Sequence, residues 1–122
     1  MRKLIEKAKE AAKNAYSPYS GIKVGSALLT KSGKIFTGCN VENVSYSLTV
    51  CAERVAILKA VSEGEKEFEK IVIYSDKMMY PCGACLQVMA EFNPDMEIII
   101  VDKEENIKKY SLKEILRFPF KL

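Results

Sequence analysis

The chain contains no histidine, which excludes every mechanism that needs an imidazole base or an imidazole metal ligand. It also lacks any apolar run approaching the ~18 residues needed to cross a bilayer, so no membrane partner is expected. The first fifteen residues, MRKLIEKAKEAAKNA, have no uninterrupted apolar stretch of the signal-peptide kind, and the expected location is the cytoplasm. Strong charge of one sign is missing too. Nineteen Lys and Arg stand against sixteen Asp and Glu, a formal charge of +3. With the two signs interspersed and no dense basic patch, a nucleic-acid partner is not expected.

What is present is ordinary globular material: 122 residues, 48% hydrophobic and 29% charged. That suffices for a core without disulfide staples and predicts one domain over residues 1–122. Four cysteines, Cys39, Cys51, Cys82 and Cys85, therefore need another reason. In a reducing compartment, clustered cysteines point to metal binding or catalysis.

Apolar residues at helical spacing (Leu4, Ile5, Ala8, Ala11, Ala12, Ala15) predict a first helix over 2–15, which Ser17-Pro18-Tyr19-Ser20-Gly21 breaks. Residues 23–30 and 34–39 read as two strands joined by a hairpin turn at Lys31-Ser32-Gly33. Residues 40–49 read as a long loop. A second helix spans 50–62, with Val55, Ala56, Leu58 and Val61 facing inward and Gly64 past its end. The β-branched run 71–75 predicts a buried strand, Pro81 opens a third helix to about Phe92, and Glu97 to Asp102 gives another buried strand. Ser111 and Glu114 form a capping box for a last short helix. The order α-ββ-α-β-α-β-α predicts a mixed sheet covered by helices on both faces.

The chemistry concentrates in Cys51-Ala52-Glu53 and Pro81-Cys82-Gly83-Ala84-Cys85. Each segment opens a predicted helix, where partial positive charge stabilises thiolates. Cys82 and Cys85 share one face of a helical turn. Three thiolates converging on a point make a zinc site with a fourth position open, the mark of a catalytic rather than a structural metal. Glu53, two residues past a ligand, is placed to take a proton from water at that position and give it to a leaving group. Three thiolates and Zn²⁺ sum to −1, so a nearby cation would restore Lewis acidity, and Arg54 is expected to hydrogen-bond one or two ligand sulfurs. Cys39 closes a strand without a partner at ligand spacing and reads as a small packed residue. Taken alone, CxxC would suggest a structural or redox site; the combination favours catalytic zinc.

On these motifs, the sequence resembles the small, homotetrameric, zinc-dependent cytidine deaminases. The resemblance runs from about Ala15 to Phe120 through Tyr16-Ser17-Pro18-Tyr19-Ser20, Val24-Gly25-Ser26-Ala27-Leu28, Gly38-Cys39-Asn40-Val41-Glu42-Asn43, Thr49-Val50-Cys51-Ala52-Glu53-Arg54 and Pro81-Cys82-Gly83-Ala84-Cys85. It implies a three-layer α/β/α sandwich with a mixed, mainly five-stranded sheet. One zinc per subunit would be held by Cys51, Cys82 and Cys85, with Glu53 as proton shuttle. Asn40 and Glu42 would hold the ribose hydroxyls, with Tyr46 completing that wall. The backbone around Ala52 and Cys82 would read the pyrimidine edge, Ile22 would contact the ring, and Phe120 would reach a neighbouring subunit's site. The implied reaction converts cytidine and deoxycytidine to uridine and deoxyuridine with loss of ammonia. The residues themselves agree at one point: a carboxylate and an amide directly after a strand suit a diol, although an Asx turn at Asn40 would read the same way.

Several positions depart from the family pattern. Ile22 stands where Phe is usual, Leu86 where Arg follows the last cysteine, and Ser47 where Gly is usual. The stretch 76–80 is about two residues short, and the C-terminal Ile115-Leu116-Arg117-Phe118-Pro119-Phe120 is altered. These departures leave room for a modified cytosine nucleoside such as blasticidin S. A non-catalytic zinc-stabilised binding module is the remaining alternative, and it would leave Glu53 without a purpose.

Overall fold

Leu4, Ile5, Ala8 and Ala12 recur at intervals of one, three and four residues, and in the computed structural model, which describes residues 1–122, they form the buried stripe of helix α1 (Arg2–Ala12). The chain then forms β1 (Val24–Thr30), β2 (Ile35–Cys39), α2 (Ala52–Ser62), β3 (Phe68–Ser75), α3 (Gly83–Phe92), β4 (Glu97–Val101), β5 (Ile107–Ser111) and α4 (Leu112–Ile115), with a 3₁₀ turn at Tyr46–Leu48. The strands make one sheet in the order β2-β1-β3-β4-β5. Only β3 and β4 run parallel; the other pairings are antiparallel. The mixed five-stranded sheet of the expectation is therefore present.

Burial on both sides explains the continuous apolar runs. Val72 and Ile99 face α1 in a layer with Leu4, Ile5, Ala8, Ala27 and Val101. Their neighbours Ile71, Ile73, Ile98 and Ile100 point the opposite way, into the larger core beneath α2 and α3. The capping box also forms: Glu114 accepts from the Ser111 backbone N–H at 2.7 Å, and the Ser111 side chain accepts from the third residue of α4.

Five expectations change. Helix α1 ends at Ala12, three residues before the expected end at Ala15. Strand β3 begins at Phe68, three residues before the β-branched run. Strand β5 was not predicted, because Ile107-Lys108-Lys109-Tyr110-Ser111 has neither an apolar run nor a buried face. It is an edge strand made by pairing with β4, and its exposed lysines are the kind of residue that keeps an edge from further pairing. Pro81 lies before α3 rather than in its first turn, and Cys82 is the N-cap. Finally, the buried face of α2 is Ala52, Glu53, Ala56, Ile57 and Ala60, whereas Leu58 is 56% exposed. Ala52 and Ala56 meet the sheet at Gly38, Glu53 and Ile57 form the buried row beside them, and Leu58 lies about 100° further round the helix, outside both.

Candidate active site

Cys51 and Cys82 are the N-caps of α2 and α3, and Cys85 lies in the first turn of α3. Their Sγ atoms are separated by 3.9 Å (Cys51–Cys82) and 3.5 Å (Cys82–Cys85), and all three lie within 4.8 Å of one another. Four-coordinate zinc with Zn–S bonds of about 2.3 Å spaces its sulfurs by about 3.8 Å. The donor set and its spacing thus fit the metal. Cys85 is buried, Cys51 half-buried and Cys82 exposed, so solvent reaches the cluster at Cys82.

Among the three thiols the charge is shared unevenly. The Cys85 thiol, with Arg54 and Cys82, holds Cys51 down to about 5. The Cys51 sulfur and burial push Cys85 strongly up. Negative charge therefore sits on Cys51 while Cys85 keeps its proton.

Glu53 projects from the inner face of α2 and is 4% exposed. Burial, assisted by the charge on Cys51, pushes its carboxyl up to about 7, against the opposing pull of its own backbone N–H, Cys85 and Arg54. A carboxyl group poised near neutrality beside an open metal position can both accept and return a proton. Arg54 Nη2 lies 3.6 Å from Cys51 Sγ and 3.4 Å from the Thr49 carbonyl, while its buried Nε has no protein acceptor. The Cys51 sulfur is the chief reason its pKa is raised.

A short β-bridge network brings Asn40 and Glu42 toward this cluster. Val41 pairs with Tyr16 on one side and Val50 on the other, and Val50 leads directly into Cys51. Asn40 Oδ1 accepts from the Val24 N–H at 2.9 Å, and its Nδ2 donates to the Ile22 carbonyl at 2.8 Å. Glu42 Oε1 accepts from the N–H groups of Tyr19 at 2.9 Å and Ser20 at 3.1 Å, and the Ser20 hydroxyl donates to its Oε2. Led by that hydroxyl, these bonds hold the carboxyl below its usual range. Both side chains are buried and fixed, each with hydrogen-bonding capacity to spare.

Of the other predicted residues, Ala52 is fully buried, while Tyr46 and Ile22 lie exposed on the loops. Phe120 is 73% exposed. Its backbone exchanges two hydrogen bonds with the Gln87 side chain, 2.9 and 3.1 Å long, beside a concavity of about 600 Å³ that contains none of the cysteines. Within one chain Phe120 does not join the cluster. Cys39, half-buried, stays outside it as expected. Sequence reasoning gave no role to Ser20, Thr49 or Ser26, which hold Glu42, Arg54 and Ala52 respectively. A lone serine or a backbone carbonyl carries no local signal of that kind.

Comparison with known proteins places this geometry. The family described as the cytidine and deoxycytidylate deaminase zinc-binding region matches residues 1–101. A probable cytidine deaminase of Dictyostelium discoideum is 48% identical over 95% of this chain and 80% of its own length. A cytidine deaminase of Sporosarcina psychrophila is 43% identical over 95% and 88%. A crystal structure of cytidine deaminase from Burkholderia pseudomallei superposes with a TM-score of 0.94 at 43% identity, covering 98% of each chain. A blasticidin-S deaminase of Bacillus cereus matches at 33% identity over 76% of this chain and 73% of its own.

Proposed function

The chain belongs to the cytidine and deoxycytidylate deaminase family, and from that premise we propose that it hydrolyses cytidine and deoxycytidine to uridine and deoxyuridine. The observation that carries the reading is the meeting of Cys51, Cys82 and Cys85 at a cluster beside the buried carboxyl of Glu53. In the overall reaction, water adds at C4 of the cytosine ring, the bond to the exocyclic amine breaks, and ammonia leaves as C4 becomes a carbonyl.

Zinc, which Cys51, Cys82 and Cys85 would hold, would supply Lewis acidity toward a water molecule. The remaining work belongs to the chain. Glu53 takes the proton released by the water and returns it to the departing amine. Arg54 places positive charge against Cys51, offsetting the net negative charge of three thiolates. Asn40 and Glu42, locked by the Val24 and Ser20 contacts, offer their remaining capacity to the two hydroxyls of the sugar. The free N–H groups of the first turns of α2 and α3 face the base edge, as helix N-termini commonly do toward acceptors.

Homotetramer formation in the cytoplasm completes the reading. Exposed Val44, Leu48, Leu58, Phe118 and Phe120 are apolar side chains that such an assembly could cover. Phe120 would then contribute to a neighbour's site. A stable, active monomer by light scattering would remove that contribution.

One observation keeps the modified nucleoside in view. Ile22 and residues of the short loop, Asp76, Lys77 and Met79, line a single cavity of about 240 Å³. Purified zinc-loaded protein is to be assayed with cytidine, deoxycytidine and blasticidin S, by ultraviolet change and ammonia release. Turnover of cytidine that disappears in Glu53→Gln is expected. Turnover of blasticidin S alone would move the substrate to the second reading, and no turnover of any would overturn the enzyme.

A further inference from the structure

Ser26 and Gly38 stand opposite one another in the β1–β2 ladder, on the face that carries α2. The buried Ser26 hydroxyl donates to the carbonyl of Ala52 at 2.8 Å. A Cβ on Gly38 would stand 2.4 Å from that same oxygen and 2.6 Å from the Ala56 nitrogen. One strand thus grips the Ala52 carbonyl with a hydroxyl, and the next admits it by having no side chain. The peptide held in this way joins Ala52 to Glu53, and Cys51 precedes it.

We propose that Ser26 and Gly38 form a seat for the first turn of α2 that sets where the Glu53 carboxylate stands relative to Cys82 and Cys85. Both are positioning residues, and the inference rests on Glu53 acting as the proton carrier.

The reasoning is geometric. Cys51 and Glu53 ride on α2, whereas Cys82 and Cys85 ride on α3. How deeply α2 sinks onto the sheet therefore enters every distance between the two halves of the site. Within the helix the Ala52 carbonyl already accepts from Ala56, its partner four residues on. The Ser26 hydroxyl occupies the remaining lone pair and fixes the peptide plane. Restoring ordinary contact around a Cβ at Gly38 would lift α2 by about 1 Å, and a displacement of that size at a reacting centre costs about 10²-fold. Losing the hydroxyl alone leaves the helix seated but the peptide less constrained, and the expected loss is about tenfold.

The test compares zinc-loaded Ser26→Ala, Gly38→Ala and, as a packing control from the α1 layer, Leu4→Ala. Zinc content, melting temperature, kcat and KM for cytidine are measured on each, with crystal structures of the first two. Ser26→Ala is expected to keep one zinc per chain and a KM within about twofold while kcat falls about tenfold. Gly38→Ala is expected to lose about a hundredfold; if it does not fold, Ser26→Ala decides alone. Leu4→Ala should melt earlier but retain kcat, which separates positioning from stability. Wild-type kcat in Ser26→Ala, or a loss only in proportion to lost zinc, would overturn the seat. Should the unaltered protein fail to turn over cytidine, the deaminase reading fails separately. The crystal structures then judge the seat: a Glu53 carboxylate moved by more than ~0.5 Å relative to Cys85 supports it, and an unmoved one refutes it.

Discussion

Arg54 Nη2 approaches Cys51 Sγ to 3.6 Å from three residues along the same first turn of α2. The pairing is local in sequence, so it survives any small movement between helices. It also fills a gap, because Leu86 stands next to Cys85 in α3 and brings no second cation.

Replacing Arg54 by Ala is therefore expected to weaken zinc retention by about tenfold and lower kcat, since the thiolate cluster loses its only adjacent positive side chain. Zinc release to a chromogenic chelator, followed alongside deaminase activity, checks both. Unchanged retention and activity would show that the Cys51 contact has no electrostatic role.

Loading the metal must expel the Cys85 proton, because that thiol is held protonated by the neighbouring Cys51 sulfur and by burial. Zinc affinity is expected to fall as the pH is lowered, and calorimetric titrations at pH 7.5 in buffers of different ionisation enthalpy should report release of about one proton or more per zinc. Binding that is independent of pH between 6 and 8 would contradict this charge distribution.

Glu42→Gln should raise KM for cytidine by about tenfold or more and affect kcat less, because its carboxylate, held by Ser20, is the group proposed to bind the sugar hydroxyls. Steady-state kinetics separate the two parameters. A fall in kcat with an unchanged KM would place Glu42 outside substrate binding.

Far from the site, Glu105 joins Arg2 and Lys9 of α1 to the β4–β5 turn, at 2.6 and 3.0 Å. Arg2, then Lys9, holds its carboxyl down to about 2. A depressed folded-state value means stabilisation that is fully present above the unfolded carboxyl range, near pH 4.3, and is lost as the pH falls toward 2. Metal-free wild type should melt above Glu105→Gln at pH 6, and the gap should close by pH 2 and narrow in 1 M salt. Gln is the suitable replacement because Glu105 holds φ at +63°, and a residue with different backbone preferences would add its own effect. A gap that does not change with pH would rule out the ion pairs as its source.

Much of the site was written locally. Cys51, Glu53 and Arg54 fall within one turn of α2, and Cys82 and Cys85 within one turn of α3. Residue type and spacing along the chain therefore already state their relationship. The apolar runs of β3 and β4, and the stripe of α1, likewise declare burial by composition and period. Resemblance over nearly the whole chain added the substrate class to what spacing alone could say.

Tertiary structure decided the rest, because the remaining relationships join residues far apart in sequence. Strand β5 exists through its pairing with β4, not through its own lysine-rich composition. Leu58 turned outward because the close approach at Gly38 sets the Ala52 and Ala56 side of α2 against the sheet, which no helical periodicity reveals. The hold of Ser20 on Glu42 spans 22 residues, and that of Ser26 on Ala52 spans 26. A hydroxyl has no directional signature in a sequence: its partner is chosen only when the sheet brings a carbonyl or carboxylate to within reach.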